Sequence, residues 1–181
     1  MAIRDKIYIP GETYFITFTI LGWQKIFTSE KYYQLIFKWF DYIKNNYGNK
    51  IHGYVIMPNH IHCLIKFSLT SKPPPILIFN AKRFLAYEII NLLEEDKNYR
   101  LLNFFKFNKI KQAAKHRIFE DGYDSKIIQS LKFFLQKLNY IHKNPCQEKW
   151  QLAKAPEEYI YSSASNYVFG KGIYPVDLVD F

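Results

Sequence analysis

Two short apolar runs, 51–57 and 60–67, meet at the dipeptide Pro58–Asn59. Proline is preset for the second position of a tight turn and asparagine tolerates the third, so the segment predicts a β-hairpin. A hairpin fixes strand direction and places the chain among antiparallel sheets. The other segments are arranged around it. Residues 14–20 (YFITFTI) are β-branched and aromatic and read as a strand. Thr28 or Ser29 caps a helix that runs to about Asn46, with Tyr32, Ile36, Trp39 and Ile43 at helical spacing and Gly48 as the stop.

After the hairpin, 68–75 reads as a proline-containing loop and 79–95 as a second helix. The stretch 97–115 is open between strand, loop and a DNA-facing surface. Residues 117–120 and 126–129 read as short strands around Gly122. Ser130 caps a third helix, which must stop at or before Asn144 because Pro145 follows. The tail to Phe181 shows no clear element. Strand–helix–strand–strand–helix–strand–helix implies an α+β fold, an antiparallel sheet with flanking helices. No repeat or linker divides the chain, so 1–181 is expected to be a single domain.

Within the hairpin, His60 and His62 are two residues apart on a strand, so their side chains share one face while Ile61 and Cys63 enter the other layer. Two imidazoles on a rigid strand can hold one divalent metal through a ring nitrogen each, with a third ligand from elsewhere. Taken alone, His-x-His is more often two ordinary strand histidines. On the third helix, Leu131, Leu135, Leu138 and His142 share one side, flanked by Phe134 and Ile141, and that side is expected to pack. Phe133, Gln136, Tyr140 and Asn144 lie on another, with Lys137 alongside. Tyr140 and Asn144, four apart, can address one point in space. His142 is turned away and reads as structural.

Lys and Arg exceed Asp and Glu by 25 to 16, a net charge of +9 and a pI near 9.4, which fits a basic face for phosphate backbones or simply a solvated surface. Lysines interleaved with rings, as in Tyr42–Lys44–Tyr47 and the FFKF run at 104–107, suit bases stacked on aromatics. Cys63 and Cys146 form no CxxC pair, so neither a disulfide framework nor a zinc ribbon is supported. The first ten residues lack a signal-peptide core and no apolar run approaches a membrane span. The expectation is a cytoplasmic protein with no membrane partner.

Residues 53–64 (GYVIMPNHIHCL) and 140–145 (YIHKNP) resemble the two signature blocks of the single-tyrosine HUH transposases, in particular the REP-associated tyrosine transposase branch. Weaker blocks at 14–19, 81–89 (AKRFLAYEI) and 156–167 (PEEYIYSSASNY) agree in order, so the resemblance spans nearly the whole chain. It implies a ferredoxin- or RRM-like HUH nuclease core that cleaves single-stranded DNA near hairpins and rejoins it. Tyr140 would be the nucleophile, His60 and His62 ligands of Mg²⁺ or Mn²⁺, and Asn144 a further polar ligand. Such proteins include monomers and homodimers. The chain departs from the family where Asn-Pro-Val is usual: here Asn144-Pro145-Cys146 follows the helix, and Phe119 stands where many relatives carry Trp. Two rivals stay open: a relaxase or replication initiator, which shares the chemistry, and a non-catalytic single-strand-binding module. A two-histidine phosphoesterase is excluded, since it needs a second HxT or HxS motif and none is present.

Overall fold

Tyr14, Ile16, Phe18 and Ile20 point one way from the first strand and Phe15 the other, and this parity organises the protein into two apolar clusters. The computed structural model describes residues 8–108 and 116–179. Its sheet has four strands: β1 (Thr13–Thr19), β2 (Lys50–Met57), β3 (His60–Lys66) and β4 (Asp124–Ile127), in the order β2-β3-β1-β4, with every neighbouring pair antiparallel. The helices are α1 (Glu30–Tyr47), α2 (Pro74–Glu95), α3 (Tyr99–Phe107), α4 (Leu131–Lys143) and α5 (Ala164–Phe169). This strand order and the β-α-β-β-α-β succession are those of a ferredoxin-like core, so the α+β expectation is met.

The larger cluster lies between the sheet and helices α1 and α2. It takes Ile16, Phe18, Tyr54, Ile61, Cys63 and Ile65 from the strands, and Ile36, Phe40, Leu85 and Ile89 from the helices. The smaller one fills the opposite face, where Phe15, Val55, Met57 and Leu64 meet Phe134, Leu138 and Ile141 of α4. A register shift between Ile51 and Gly53 keeps both faces of β2 apolar: Ile51, Tyr54 and Ile56 join the first cluster, Val55 and Met57 the second. Gly48 ends α1 in the left-handed conformation (φ 63°), where a side chain would be strained. No helix among the described residues is long and apolar enough to cross a membrane.

Several boundaries differ from the sequence reading. Helix α2 begins at Pro74 rather than 79, because proline fits the first helical turn, where its missing N–H has no intrahelical partner to lose. The ambiguous stretch after it contains a helix, α3, whose Leu101 and Phe105 are buried; residues 109–115 lie outside the described part. Residues 117–120 supply only an isolated bridge, Ile20 to Phe119, and the last strand is 124–127 rather than 126–129. The tail is ordered by tertiary contacts: Ser162 bridges to Val55 and Ser163 N–H donates to the Tyr54 carbonyl at 2.9 Å.

Gly53, from the longer motif, has a local reason to be glycine. A Cβ there would lie 2.7 Å from Leu138 Cδ1, so the bare backbone lets α4 close on β2. Gly53→Val should therefore destabilise the protein by about 1–3 kcal/mol through overpacking, measured as a lower denaturant midpoint. Gly53→Ala should cost less, since the leucine methyl can rotate aside.

Candidate active site

His60, His62 and Leu64 emerge on the α4 side of the sheet, and the helix brings Tyr140 over them. The two imidazole centroids are 4.7 Å apart, and the Tyr140 ring lies 5.2 Å from that of His62 at a steep angle. Phe15, on the neighbouring strand, stacks against His62 at 5.4 Å and meets Tyr140 edge-on at 6.0 Å. The hairpin and the tyrosine helix, 80 residues apart in sequence between His60 and Tyr140, thus converge on one patch.

The helix presents that patch with a twist the sequence reading did not have. Ser130 caps it as expected, its Oγ accepting from the Phe133 N–H at 3.2 Å. The packed residues are Phe134, Leu138 and Ile141, whereas Leu131 and Leu135 are 48% and 45% exposed. The buried stripe is thus rotated away from the predicted leucine line. Tyr140 flanks it at 42% exposure, so its ring is seated while its edge meets solvent. His142 is structural, as expected: its Nε2 is 2.9 Å from Ser163 Oγ, away from the pair.

Both site histidines are buried, at 5% and 6% exposure. Burial, with a smaller contribution from Lys149, pushes His60 down to about 4. Burial, then His60, Lys137 and Lys149, holds His62 well below the usual histidine range. Both rings are therefore neutral near pH 7 and keep a lone pair. Their Nδ1 atoms are engaged, His60 with Asn59 Oδ1 at 2.7 Å and His62 with Thr17 Oγ1 at 2.6 Å. His62 Nε2 is buried and, among the described residues, has no hydrogen-bond partner.

A divalent cation would answer that atom. Two neutral imidazoles suit Mn²⁺ well, and Mg²⁺ if oxygen ligands complete the shell. Asn144 sits in the 3-10 turn after α4, 2% exposed, with its Oδ1 also buried and, among the described residues, unpartnered. No hydrogen bond links it to either histidine among the described residues, nor do these hold a cluster of three or more His, Cys, Asp or Glu able to take a metal. The donor set fits a cation whose remaining ligands are oxygens of an amide, water or substrate.

Sequence reading set Lys137 beside Tyr140 but missed the rings that surround the pair. Lys137 Nζ lies over the rings of Phe15 (4.8 Å), Phe133 (5.4 Å) and Tyr140 (5.7 Å), which holds a cation beside the tyrosine. The ring of Trp150 is 5.6 Å from that of His60, and the ring of Trp23 is 5.9 Å from it. Trp23 is 59% exposed, in left-handed backbone (φ 55°) that tryptophan rarely adopts. With three tryptophans in the chain, two of them flanking one histidine, scarcity of the residue type was the available signal.

No family model and no curated protein matches the chain. Among solved structures it is similar to the REP-associated tyrosine transposase bound to a REP hairpin, with 19% identity and a TM-score of 0.68 over 100% of this chain and 95% of that one. A candidate transposase from Deinococcus radiodurans (14% identity, TM-score 0.46, 77% of this chain and 95% of that one) overlaps too loosely to carry an argument. The same holds for tRNA(His) guanylyltransferase from Saccharomyces cerevisiae (11%, 0.47, 77% and 62%). The chain shares the fold of the REP-associated tyrosine transposase, a four-stranded antiparallel sheet with flanking helices.

Proposed function

We propose that this protein is a DNA strand transferase of the HUH transposase type, which cleaves single-stranded DNA beside hairpins and rejoins it through a phosphotyrosine. The observation that carries the reading is the meeting of the Tyr140 ring with His62 at 5.2 Å, on the face of the sheet where His62 and His60 lie 4.7 Å apart. A surface tyrosine on a nucleic-acid-binding module has no reason to sit over two neutral, buried histidines. The fold shared with the transposase that was solved bound to a REP hairpin supports the same reading.

In this reading His60 and His62 would hold Mg²⁺ or Mn²⁺ through Nε2, and Asn144 Oδ1 would be a further ligand. When bound, the cation would neutralise charge at the oxygens of the scissile phosphate. Tyr140 Oη attacks phosphorus, forming the tyrosyl–phosphate bond as the bond to the 3′-oxygen breaks. The phenol gives up its proton and the 3′-oxygen takes one, leaving a 5′-phosphotyrosine and a free 3′-OH. One phosphodiester replaces another, so a second 3′-OH can reverse the step and join two ends without an energy source. Lys137, held over the Tyr140 ring, would help stabilise the charge that gathers on the phosphate.

The test is incubation with a hairpin oligonucleotide carrying a single-stranded flank, plus Mn²⁺, followed by denaturing electrophoresis. A covalent adduct and cutting in the flank are expected, with the fully paired duplex spared. Equal cutting of perfect duplex would overturn the reading. Binding should weaken steeply with salt as phosphates release counterions.

Trp23, exposed and 5.9 Å from His60, offers a ring on which an unpaired base can stack. Trp23→Ala should weaken single-strand binding by about 1–3 kcal/mol, the range of one lost base stack. Trp23→Phe should retain most of it. Fluorescence anisotropy with a labelled hairpin reads both.

A further inference from the structure

We propose that Asn59 and Thr17 are positioning residues that lock both site histidines in the tautomer with the proton on Nδ1, leaving each Nε2 as the metal-binding lone pair. The inference rests on the metal-binding reading of the pair, and concerns how this chain prepares that pair before any cation arrives.

The decisive contact is at His60. Asn59 is buried, and its Nδ2 donates to the Trp23 carbonyl at 3.1 Å. A carbonyl can only accept, so the amide of Asn59 is oriented from outside, and its Oδ1 is the atom turned to His60 Nδ1 at 2.7 Å. An amide oxygen also only accepts. The proton must therefore be on Nδ1 of His60, and Nε2 is left bare.

At His62 the partner is a hydroxyl, which can act either way. Thr17 lies directly across from His62 in the β1–β3 register, and its Oγ1 is 2.6 Å from Nδ1. Burial decides the direction. His62 Nε2 is buried and, among the described residues, has no partner. A proton there would be a buried donor with nothing to receive it, whereas a lone pair there is what a cation satisfies. Nδ1–H then donates to Thr17 Oγ1. The two histidines, 4.7 Å apart between centroids, are set by two different elements: the strained loop at Trp23 acting through Asn59, and the middle of β1 acting through Thr17.

The experiment uses the full chain, metal-free and labelled with ¹⁵N-histidine, at pH 7.5, where long-range ¹H–¹⁵N correlation spectra assign the tautomer of each ring. Wild type should show Nδ1–H at both His60 and His62. Asn59→Ala should release only His60 into a tautomer mixture, and Thr17→Val only His62, while Thr17→Ser restores the wild-type pattern. Calorimetric titration with Mn²⁺ should then show affinity lowered by about 10–100-fold in Asn59→Ala and Thr17→Val, and near wild type in Thr17→Ser. An Nε2–H tautomer at His60 in wild type overturns the proposal. So does unchanged Mn²⁺ affinity in folded Asn59→Ala and Thr17→Val. Wild type with the expected tautomers but no Mn²⁺ binding would instead overturn the metal reading, leaving the tautomer assignment standing.

Discussion

Tyr140→Phe is expected to give a protein that folds, binds hairpin DNA and forms no covalent adduct. The substitution removes one oxygen and leaves the ring to keep its contacts with Phe15, at 6.0 Å, and His62, at 5.2 Å, so the α4 face should hold. Its exposure of 42% leaves no buried polar gap behind. Cleavage should fall on the order of 10⁴-fold or more, because no other group can take over the covalent step. Two other tyrosines, Tyr123 and Tyr161, are poorly placed to replace it. Tyr123 packs against the opposite cluster, where burial pushes its phenol up to about 12. Tyr161 lies flat on Tyr33 with centroids 3.3 Å apart. Undiminished adduct from Tyr140→Phe would move the nucleophile and break the proposed mechanism.

Replacing both histidines should separate metal binding from folding. In wild type, Mn²⁺ at 100 times its dissociation constant should stabilise the fold by about 2.7 kcal/mol, simply because the cation binds the native state. His60→Ala/His62→Ala should show no such increment and no cleavage, and EDTA should silence wild type equally. The double variant must be compared with and without Mn²⁺, since removing two buried rings costs some stability by itself. An equal Mn²⁺-dependent rise in both proteins would place the cation elsewhere. Asn144→Ala should lose less, as one ligand among several.

Much of this was legible in the residues. The Pro58–Asn59 corner gave the hairpin, strand parity put His60 and His62 on one face, and the Ser130 cap with Pro145 bracketed the tyrosine helix. What escaped depends on tertiary contacts. The leucine line of α4 looked like its buried stripe, but the sheet beneath receives Phe134, Leu138 and Ile141, and Leu131 and Leu135 face outward. The FFKF run hid a helix because only Phe105 of its rings is fully buried. The tail has no period of its own because Ser162 and Ser163 are held by the edge of β2. Thr17 reads as a routine strand residue until the β1–β3 register sets it opposite His62.

That register has a consequence for how the protein fails. A slip of β3 by one residue would turn His60 and His62 toward α1 and α2, and deliver Ile61 and Cys63 to the tyrosine. The same error would thrust two imidazoles into the larger apolar cluster and empty the place of Ile61, which is wholly buried there. Misassembled copies would thus be unstable and chemically inert together. For a protein whose proposed work is to cut DNA strands, a misfolded molecule that cannot cut is harmless, and this follows from nothing more than the alternation of side chains along one strand.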